Sequence, residues 1–594
     1  MPSTEEGRNG ALSWCGTAWR AAAIWLPVSL TLLAIYWQAL GVLRFQDADD
    51  ALRLVQVRDL LAGQSWFDLH QYRSDVPDGA VLMHWSRLVD LPIAAIILLG
   101  RPFFGQAGAE TLAVVAVPLA TLFIALFLIG RLAGRLAGRE AVGAACFVAG
   151  VSLMLLAQMR PLRIDHHGWQ VVCSLLAVNA LFARNARPAG WLAGFALAAG
   201  LAISMEGLPL TVAVAAVAAW RWLRDPAERT WCVTLVQGLA GGSLLLFLAT
   251  RGLADLALHC DAVAPVHLAI FTWGAAALTV LGLLPRQTRP VILGGFAATA
   301  AVGLAILALA APICLHGGFA QLPPSLHETW LIRVPEGRPV WEKSWSLALQ
   351  IALPLVIALW AAVRMAMAAQ GAERGRRSEF AALLLAAVVL AVIVTRASAT
   401  AQALAAVPLG WIVMRWIAAL RAGIPLHRGL GLLLALIATA FPSVPATLLT
   451  AFVPPGETDA ERSAATLHAC GMEQGFAALS RLPRGEILAP LDMSAHLLMG
   501  TPHTVVATAH HRAVAGMLFE RAVFTASPDR AHAMLKARGT TYLALCRNMH
   551  EPAYLAMLAP HGLDGYLLAG DIPAWLEPVP VVGAGPHFRF WRIR

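Results

Sequence analysis

Phe45-Gln46-Asp47-Ala48-Asp49-Asp50-Ala51-Leu52-Arg53 places three carboxylates directly after the first long apolar run of the chain, Ala21 to Leu43. Two acids one residue apart at a membrane surface suit a divalent cation, because Mg²⁺ and Mn²⁺ take oxygen ligands and tolerate a partly open shell. Asp47, Asp49 and Asp50 are equally suited to capping a helix that runs on to Leu61, since Asp favours N-caps and first turns. The rest of the chain has to distinguish the two roles.

Of the 594 residues 58% are hydrophobic and only 13% charged, and mean hydropathy is +0.66. That is a polytopic membrane protein, because soluble domains carry nearly twice the charge. Counting apolar runs of roughly 16–25 residues gives about thirteen candidate spans, near 21–43, 109–131, 141–159, 168–184, 188–204, 208–223, 232–250, 264–284, 290–312, 344–368, 378–396, 398–416 and 429–452. The first is long enough to span and reads as a signal anchor. Twenty Trp against five Tyr fit interfacial belts.

The formal charge of +9 does not describe a nucleic-acid surface, because Arg is spread over short loops between spans. Arg131, Arg135 and Arg139, then Arg184 and Arg187, Arg221 to Arg229, Arg286 and Arg289, Arg374 to Arg377, and Arg421 and Arg428 mark every second loop. These loops face the cytoplasm by the positive-inside rule. The opposite, outer face receives residues 44–108, 160–167, 204–208, 251–263, 313–343 and everything after about 453. Asp47, Asp49, Asp165, Glu206, Glu328 and Glu336 all fall on it.

Two outer segments are dense in ionisable groups. Arg160-Pro-Leu-Arg163-Ile-Asp165-His166-His167 carries two Arg, one Asp and two His between spans, where each is costly if drawn into lipid. Asp165 and His167 lie two apart and share a side of an extended stretch, so both reach one cation. The loop 313–343, with His327-Glu328-Thr-Trp-Leu-Ile-Arg333-Val-Pro-Glu336, has the length of a lid between two spans. Arg87 in the first outer loop and Arg396 at a span mouth suit the phosphate of a lipid-linked ligand, although interfacial anchoring and snorkelling use the same residue type. P-loop, dinucleotide-fold, nucleophile-elbow and H-E-x-x-H patterns are missing, as is any C-x-x-C pair.

From about Pro454 the pattern becomes short β-like runs at Glu486–Leu491, His503–Thr508, Thr541–Cys546 and His587–Ile593, with a helix over Asp529–Arg538. Residues 1–453 therefore form a membrane domain and 454–594 a small α/β domain on the outer side. Cys470 and Cys546 both lie in it, where an oxidising compartment permits a disulfide.

This combination resembles the GT-C superfamily of integral-membrane glycosyltransferases, and specifically the catalytic subunit of oligosaccharyltransferase. Asp47-Ala48-Asp49 stands where that family carries its first acidic motif. Asp165-His166-His167 stands at the second, with His167 replacing an acid. Val334-Pro335-Glu336 matches the family's lid motif ending in Glu. Asp492, in Ala489-Pro490-Leu491-Asp492, matches the Asp of a Trp-Trp-Asp acceptor motif whose two Trp are missing here, and Arg396 precedes Val407-Pro408 at a wider spacing than the family's phosphate Arg.

The resemblance implies transfer of a sugar or oligosaccharide from a polyprenyl phosphate or diphosphate to a protein, lipid or polysaccharide acceptor. It implies a divalent metal, Mn²⁺ or Mg²⁺, on Asp49, Asp165 and His167, with Asp47, Asp49 and Glu336 catalytic. Asp47 would orient or deprotonate the acceptor. Donor phosphate contacts would come from Arg87, Arg163, Arg333 and Arg396, and acceptor contact from Asp492. Single-sugar transfer onto a lipid or surface polysaccharide is the alternative within the superfamily, and a transporter of isoprenoid-linked sugars the alternative outside it. The Ala- and Arg-rich, Lys-poor composition points to a bacterial inner membrane with the active face in the periplasm.

Overall fold

The computed structural model describes residues 5–75, 79–423, 425–454 and 470–594. Mostly apolar helices follow one another along the chain: α1 (Glu5–Gly41), α2 (Ala48–Leu61), α3 (Arg87–Leu136), α4 (Ala141–Gly150), α5 (Leu153–Ala157), α6 (His167–Leu181), α7 (Ala186–Ile203), α8 (Leu208–Arg224), α9 (Arg229–Thr250), α10 (Pro265–Leu283), α11 (Arg289–Ala310), α12 (Pro324–Thr329), α13 (Trp345–Met367), α14 (Gly371–Ile393), α15 (Ser398–Arg421), α16 (Leu426–Ala440) and α17 (Ser443–Thr450). The closest packing is between α7 and α9. A Cβ on Gly194 would meet Leu235 O at 2.1 Å, and one on Gly238 would meet Trp191 O at 2.5 Å, so glycine lets the two backbones touch.

Among the described residues eight helices are long and apolar enough to cross a membrane, or nine if α16 and α17, bent by 98°, form one broken span. This is a multi-pass membrane protein, but the expected thirteen spans are not reached. The run at 141–159 splits into α4 and α5, of 10 and 5 residues. The run at 168–184 falls on a helix of 15 residues and that at 208–223 on one of 17. α14 carries Glu373, Arg374, Arg376, Arg377 and Glu379 in its first half. An apolar count reads through such breaks because Gly, Ala and Ser score the same in a helix and in a turn. The expected first outer loop, 44–108, is also more ordered than a loop: it holds α2 and the first part of α3, which kinks at Gly105 with φ +67°.

The two ends of the bundle differ. At one end the basic loops hold each other: Arg376 donates to Phe182 O at 2.7 Å, and Arg221 pairs with Glu379 at 2.8 Å. At the other end the outer segments meet the C-terminal residues. There a five-stranded sheet has the order β4 (Thr504–Val505), β3 (Glu486–Leu488), β5 (Tyr542–Cys546), β7 (Phe588–Ile593), β6 (Leu576–Pro578), parallel from β4 to β5 and antiparallel beyond. The hairpin of β1 (His70–Gln71) and β2 (Val81–Leu82) precedes it in the chain, and Ser74 bridges Val505 at the sheet edge.

One buried core runs through both parts, from Phe45, Leu52 and Trp85 to Ile487, Leu543 and Trp591. Disulfides join Cys470 to Cys546 and Cys260 to Cys314. The expected junction after 453 adjoins residues 455–469, which lie outside the described residues. The strands expected in the C-terminal part all form, in shorter spans, and the helix runs from Pro528 to Arg538.

Candidate active site

α2 begins at the quoted acids. Asp47 caps it, its Oδ1 accepting from Asp49 N–H at 3.0 Å, so capping and site roles coexist in one residue. Its Oδ2 turns away to Arg163 Nη1, 2.5 Å off. One helical turn on, Asp50 Oδ1 accepts from the Ile164 and Asp165 N–H groups at 2.7 and 2.9 Å and Oδ2 meets Arg163 Nη1 at 3.1 Å. Asp50 thereby fixes the second outer segment against α2. Leu162 enters that segment in the left-handed region, φ +69°, a strained conformation for a branched side chain.

Arg163 is the hub. Its Nη2 lies 2.9 Å from Asp165 Oδ2 and 3.9 Å from Glu336 Oε2, so one guanidinium faces four carboxylates, with Asp49 as a fifth acid within electrostatic reach of Asp47, Asp165 and Glu336. Burial pushes the Asp47 carboxyl up, but Arg163 and the Asp49 N–H outweigh it and hold it at about 2. Asp50 is pushed up to about 7, mainly by burial. Asp49 has no such partner, and burial together with Asp47, Asp165 and Glu336 raises it well above the ordinary range.

His167 adds a nitrogen. Its Nδ1 lies 3.1 Å from Gln170 Oε1 and its Nε2 faces Asp165 Oδ2 at 3.6 Å and Glu336 Oε2 at 3.7 Å; burial pushes the imidazole down, but Asp165, Glu336 and Glu206 outweigh it and raise it, so a proton sits on Nε2 where a metal could replace it. Asp165 Oδ2 is buried without a well-directed hydrogen bond, although Arg163 is near. Acceptors that face one another at these distances call for a cation, and a set of two or three carboxylates with one imidazole fits a divalent metal.

Beside His167 opens a cavity of about 830 Å³, lined mainly by apolar side chains of α6, α8, α14 and the loop 313–343. Arg396 lies on its wall and pairs with Glu206. The loop is pinned to the Arg396 turn: Thr395 N–H donates to Arg338 O and its hydroxyl to Glu336 O, both at 3.1 Å.

The structure thus brings together Asp47, Asp49, Asp165, His167, Arg163 and Glu336, with Arg396 at the adjoining cavity. Asp492 starts the helix Leu491–Gly500 close enough to Asp47 that burial, and then that charge, raise its carboxyl to about 6. Arg333 and Arg87 are placed elsewhere. The Arg333 guanidinium lies 3.2 Å over the Tyr554 ring. Arg87 is fully buried, bonded to Asp90 and to the Trp66 and Asp68 carbonyls, because it packs under the outer segment instead of facing the cleft. Asp50, Glu206 and Gln170 are the members that motif spacing did not put in the site. Asp50 was legible as the residue one helical turn from Asp47, on the same face.

This polytopic bundle, with an acidic centre at the mouth of an apolar cavity and a small mixed-sheet domain beside it, shares its fold with solved oligosaccharyltransferase structures. No protein-family model matches the chain, and no curated protein matches it in sequence. Among solved structures, the oligosaccharyltransferase AglB of Archaeoglobus fulgidus in complex with an inhibitory peptide and a dolichol-phosphate superposes with TM-score 0.63 at 12% identity, over 94% of this chain and 72% of that one. The A. fulgidus enzyme tethered to an acceptor peptide containing the NVT sequon gives TM-score 0.62 at 11% identity, over 95% and 73%. Its complex with Zn and sulfate gives 0.58 at 12%, over 95% and 72%.

Proposed function

We propose that this chain is a metal-dependent glycosyltransferase that moves a sugar or oligosaccharide from a polyprenyl phosphate or diphosphate to an acceptor at the outer end of the bundle. The observation that carries this reading is the opening of the charge-imbalanced centre, five acids around one guanidinium, onto an apolar cavity of about 830 Å³. An isoprenoid chain suits the apolar walls, and its phosphate suits the polar end. The archaeal structures hold dolichol-phosphate in one case and Zn with sulfate in another, which supports the same division of the site here.

Asp49, Asp165 and His167 hold a divalent metal, Mn²⁺ or Mg²⁺, whose role when bound is to neutralise charge developing on the leaving phosphate. Arg396, freed from Glu206 as donor enters, orients that phosphate from the cavity wall. Arg163 acts as a positioning residue, since its donors are engaged by Asp47, Asp50 and Asp165. Asp47 orients the acceptor nucleophile and accepts its proton on a carboxylate oxygen. Glu336 couples the loop 313–343 to the centre, and Asp492 stands on the acceptor side. The outer face is then the periplasmic face of a bacterial inner membrane, and residues 454–594 act as an acceptor-side domain.

A lipid or polysaccharide acceptor for a single sugar is the second reading. Pro490 and Leu491, at the positions where the family's paired Trp would present a surface to peptide, are both buried. The test is release of polyprenyl phosphate or diphosphate from a radiolabelled lipid-linked sugar pool by purified protein, with Mn²⁺ or with EDTA, beside Asp49→Asn. Metal-dependent release that the variant loses is the expected result. If labelled lipid binds equally well to both proteins and is never consumed, the enzyme reading fails and a transporter takes its place.

A further inference from the structure

A second group of ligand-type side chains lies where the outer segments meet the C-terminal sheet. His84 follows β2, and His510 and His511 follow β4; each offers a ring nitrogen within 4.8 Å of the others. His84 Nδ1 and His510 Nε2 are 2.9 Å apart. The rings are gathered closely, with His510 and His511 stacked at 4.9 Å between centroids and His84 tilted against both, 4.7 Å from His511 and 5.0 Å from His510. His510 is 2% exposed.

The third ring is held in a way that hydrogen-bonded core histidines do not require. His511 Nε2 lies 2.6 Å from Asp261 Oδ2, and that carboxylate is itself gripped by both ends of Arg512, at 2.9 and 2.7 Å. Asp261 is anchored beside the Cys260–Cys314 disulfide. A carboxylate that takes the Nε2 proton leaves the Nδ1 lone pair free and fixes the ring's orientation, the arrangement that supports a metal-bound imidazole. Between His84 and His510 one proton serves two nitrogens at 2.9 Å, and a cation can replace it.

We propose that His84, His510 and His511 form a zinc site that ties the C-terminal domain to the first outer segment; it adjoins the carboxylate centre through His166, whose ring lies 6.4 Å from His84 and 4.2 Å from His167. Three imidazoles and no carboxylate ligand favour a borderline metal such as Zn²⁺ or Co²⁺ over Mg²⁺, with tetrahedral geometry and one open position. Asp261 is a positioning residue that acts through His511. The proposal does not rest on the sugar-transfer reading, because its three ligands differ from those of the adjoining carboxylate centre and it is read by metal binding alone.

The test uses the full chain in detergent, stripped with chelator and titrated with Co²⁺ in excess Mg²⁺, which occupies oxygen-rich sites without a visible spectrum. The wild type should develop the visible band of four-coordinate Co²⁺, saturating at about one equivalent and bleached by Zn²⁺. His84→Asn and His511→Asn should lose the band, and Asp261→Asn should weaken binding about 10–100-fold. A band unchanged in both His variants overturns the site. Should those variants fail to fold, zinc-edge X-ray absorption of the wild type in excess Mg²⁺ decides instead: a shell with three imidazoles supports the proposal, and a shell dominated by oxygen overturns it.

Discussion

Two knots of buried charge sit close together in the outer segment and resolve in opposite ways. Around Asp90, the Arg53 and Arg87 guanidiniums approach at 2.8 and 3.1 Å and Gln56 donates at 3.0 Å; all three charged side chains are 0% exposed, and Arg53 also lies 4.5 Å from the Trp85 ring. Around Arg163, one guanidinium serves four carboxylates, and two of them, on Asp47 and Glu336, remain 29% exposed. The first knot is sealed and spends its charge on packing α2 against α3. The second carries excess negative charge and reaches a cavity, which is the condition for taking a cation and a phosphate. Density of ionisable residues does not separate the two, whereas sign imbalance with access does.

The largest effect should come from breaking the sealed knot. Asp90→Ala leaves two guanidiniums buried without their acid, a loss of about 3–5 kcal/mol, read as a lower thermal unfolding midpoint and faster proteolysis in detergent. Asp165→Asn should instead leave the midpoint near wild type and lower sugar-transfer turnover about 10²–10³-fold, the scale for removing one well-placed electrostatic group. If the two phenotypes exchanged, the division between packing and chemistry would be wrong. Smaller again, Arg396→Gln should raise the KM for lipid-linked donor about tenfold, or about 1.4 kcal/mol, with kcat little changed.

A third group sharpens the comparison, because it has imbalance without access. Glu520 and Asp564 are buried in the C-terminal domain with Glu551 half-buried beside them, and Glu520 Oε1 and both Asp564 oxygens have no hydrogen-bond partner. Here protonation takes the place of a cation. Burial, and then Asp492, push the Glu551 carboxyl from 4.5 up to about 8. A folded value above the unfolded one means the folded state binds more protons across that window, so stability is full below the unfolded value and is lost as pH rises through the folded one. The thermal midpoint should therefore decline from about pH 5 to about pH 8. Glu551→Gln, which keeps an acceptor for the Leu491 N–H, should flatten that decline.

How much of this was legible follows from distance along the chain. Asp47 with Asp49, and Asp165 with His167, are pairs two residues apart, and that local spacing alone was enough to nominate them. The placement of both pairs on one face followed from the alternation of basic loops. Arg87 was misread because its partners, Arg53's acid Asp90 and two carbonyls, become visible only after α2 and α3 have packed. Thirteen spans were not confirmed because an apolar run does not reveal where Val151 and Ser152 end a helix. β6, three residues containing Glu577 and Pro578, has no alternating pattern to find. His84 and His510 are brought together across 426 residues, and no local rule connects them.

Manganese binding tests the central claim most directly. The free Mn²⁺ electron paramagnetic resonance signal is followed as full-length protein is added, for the wild type and for Asp49→Asn with Asp165→Asn, each beside the same protein carrying His84→Asn to account for the imidazole cluster. The account predicts that the wild type removes about one equivalent of the signal and that the double variant, folded to the same midpoint, removes none. Equal loss of signal in both proteins, or no loss in either, would contradict it.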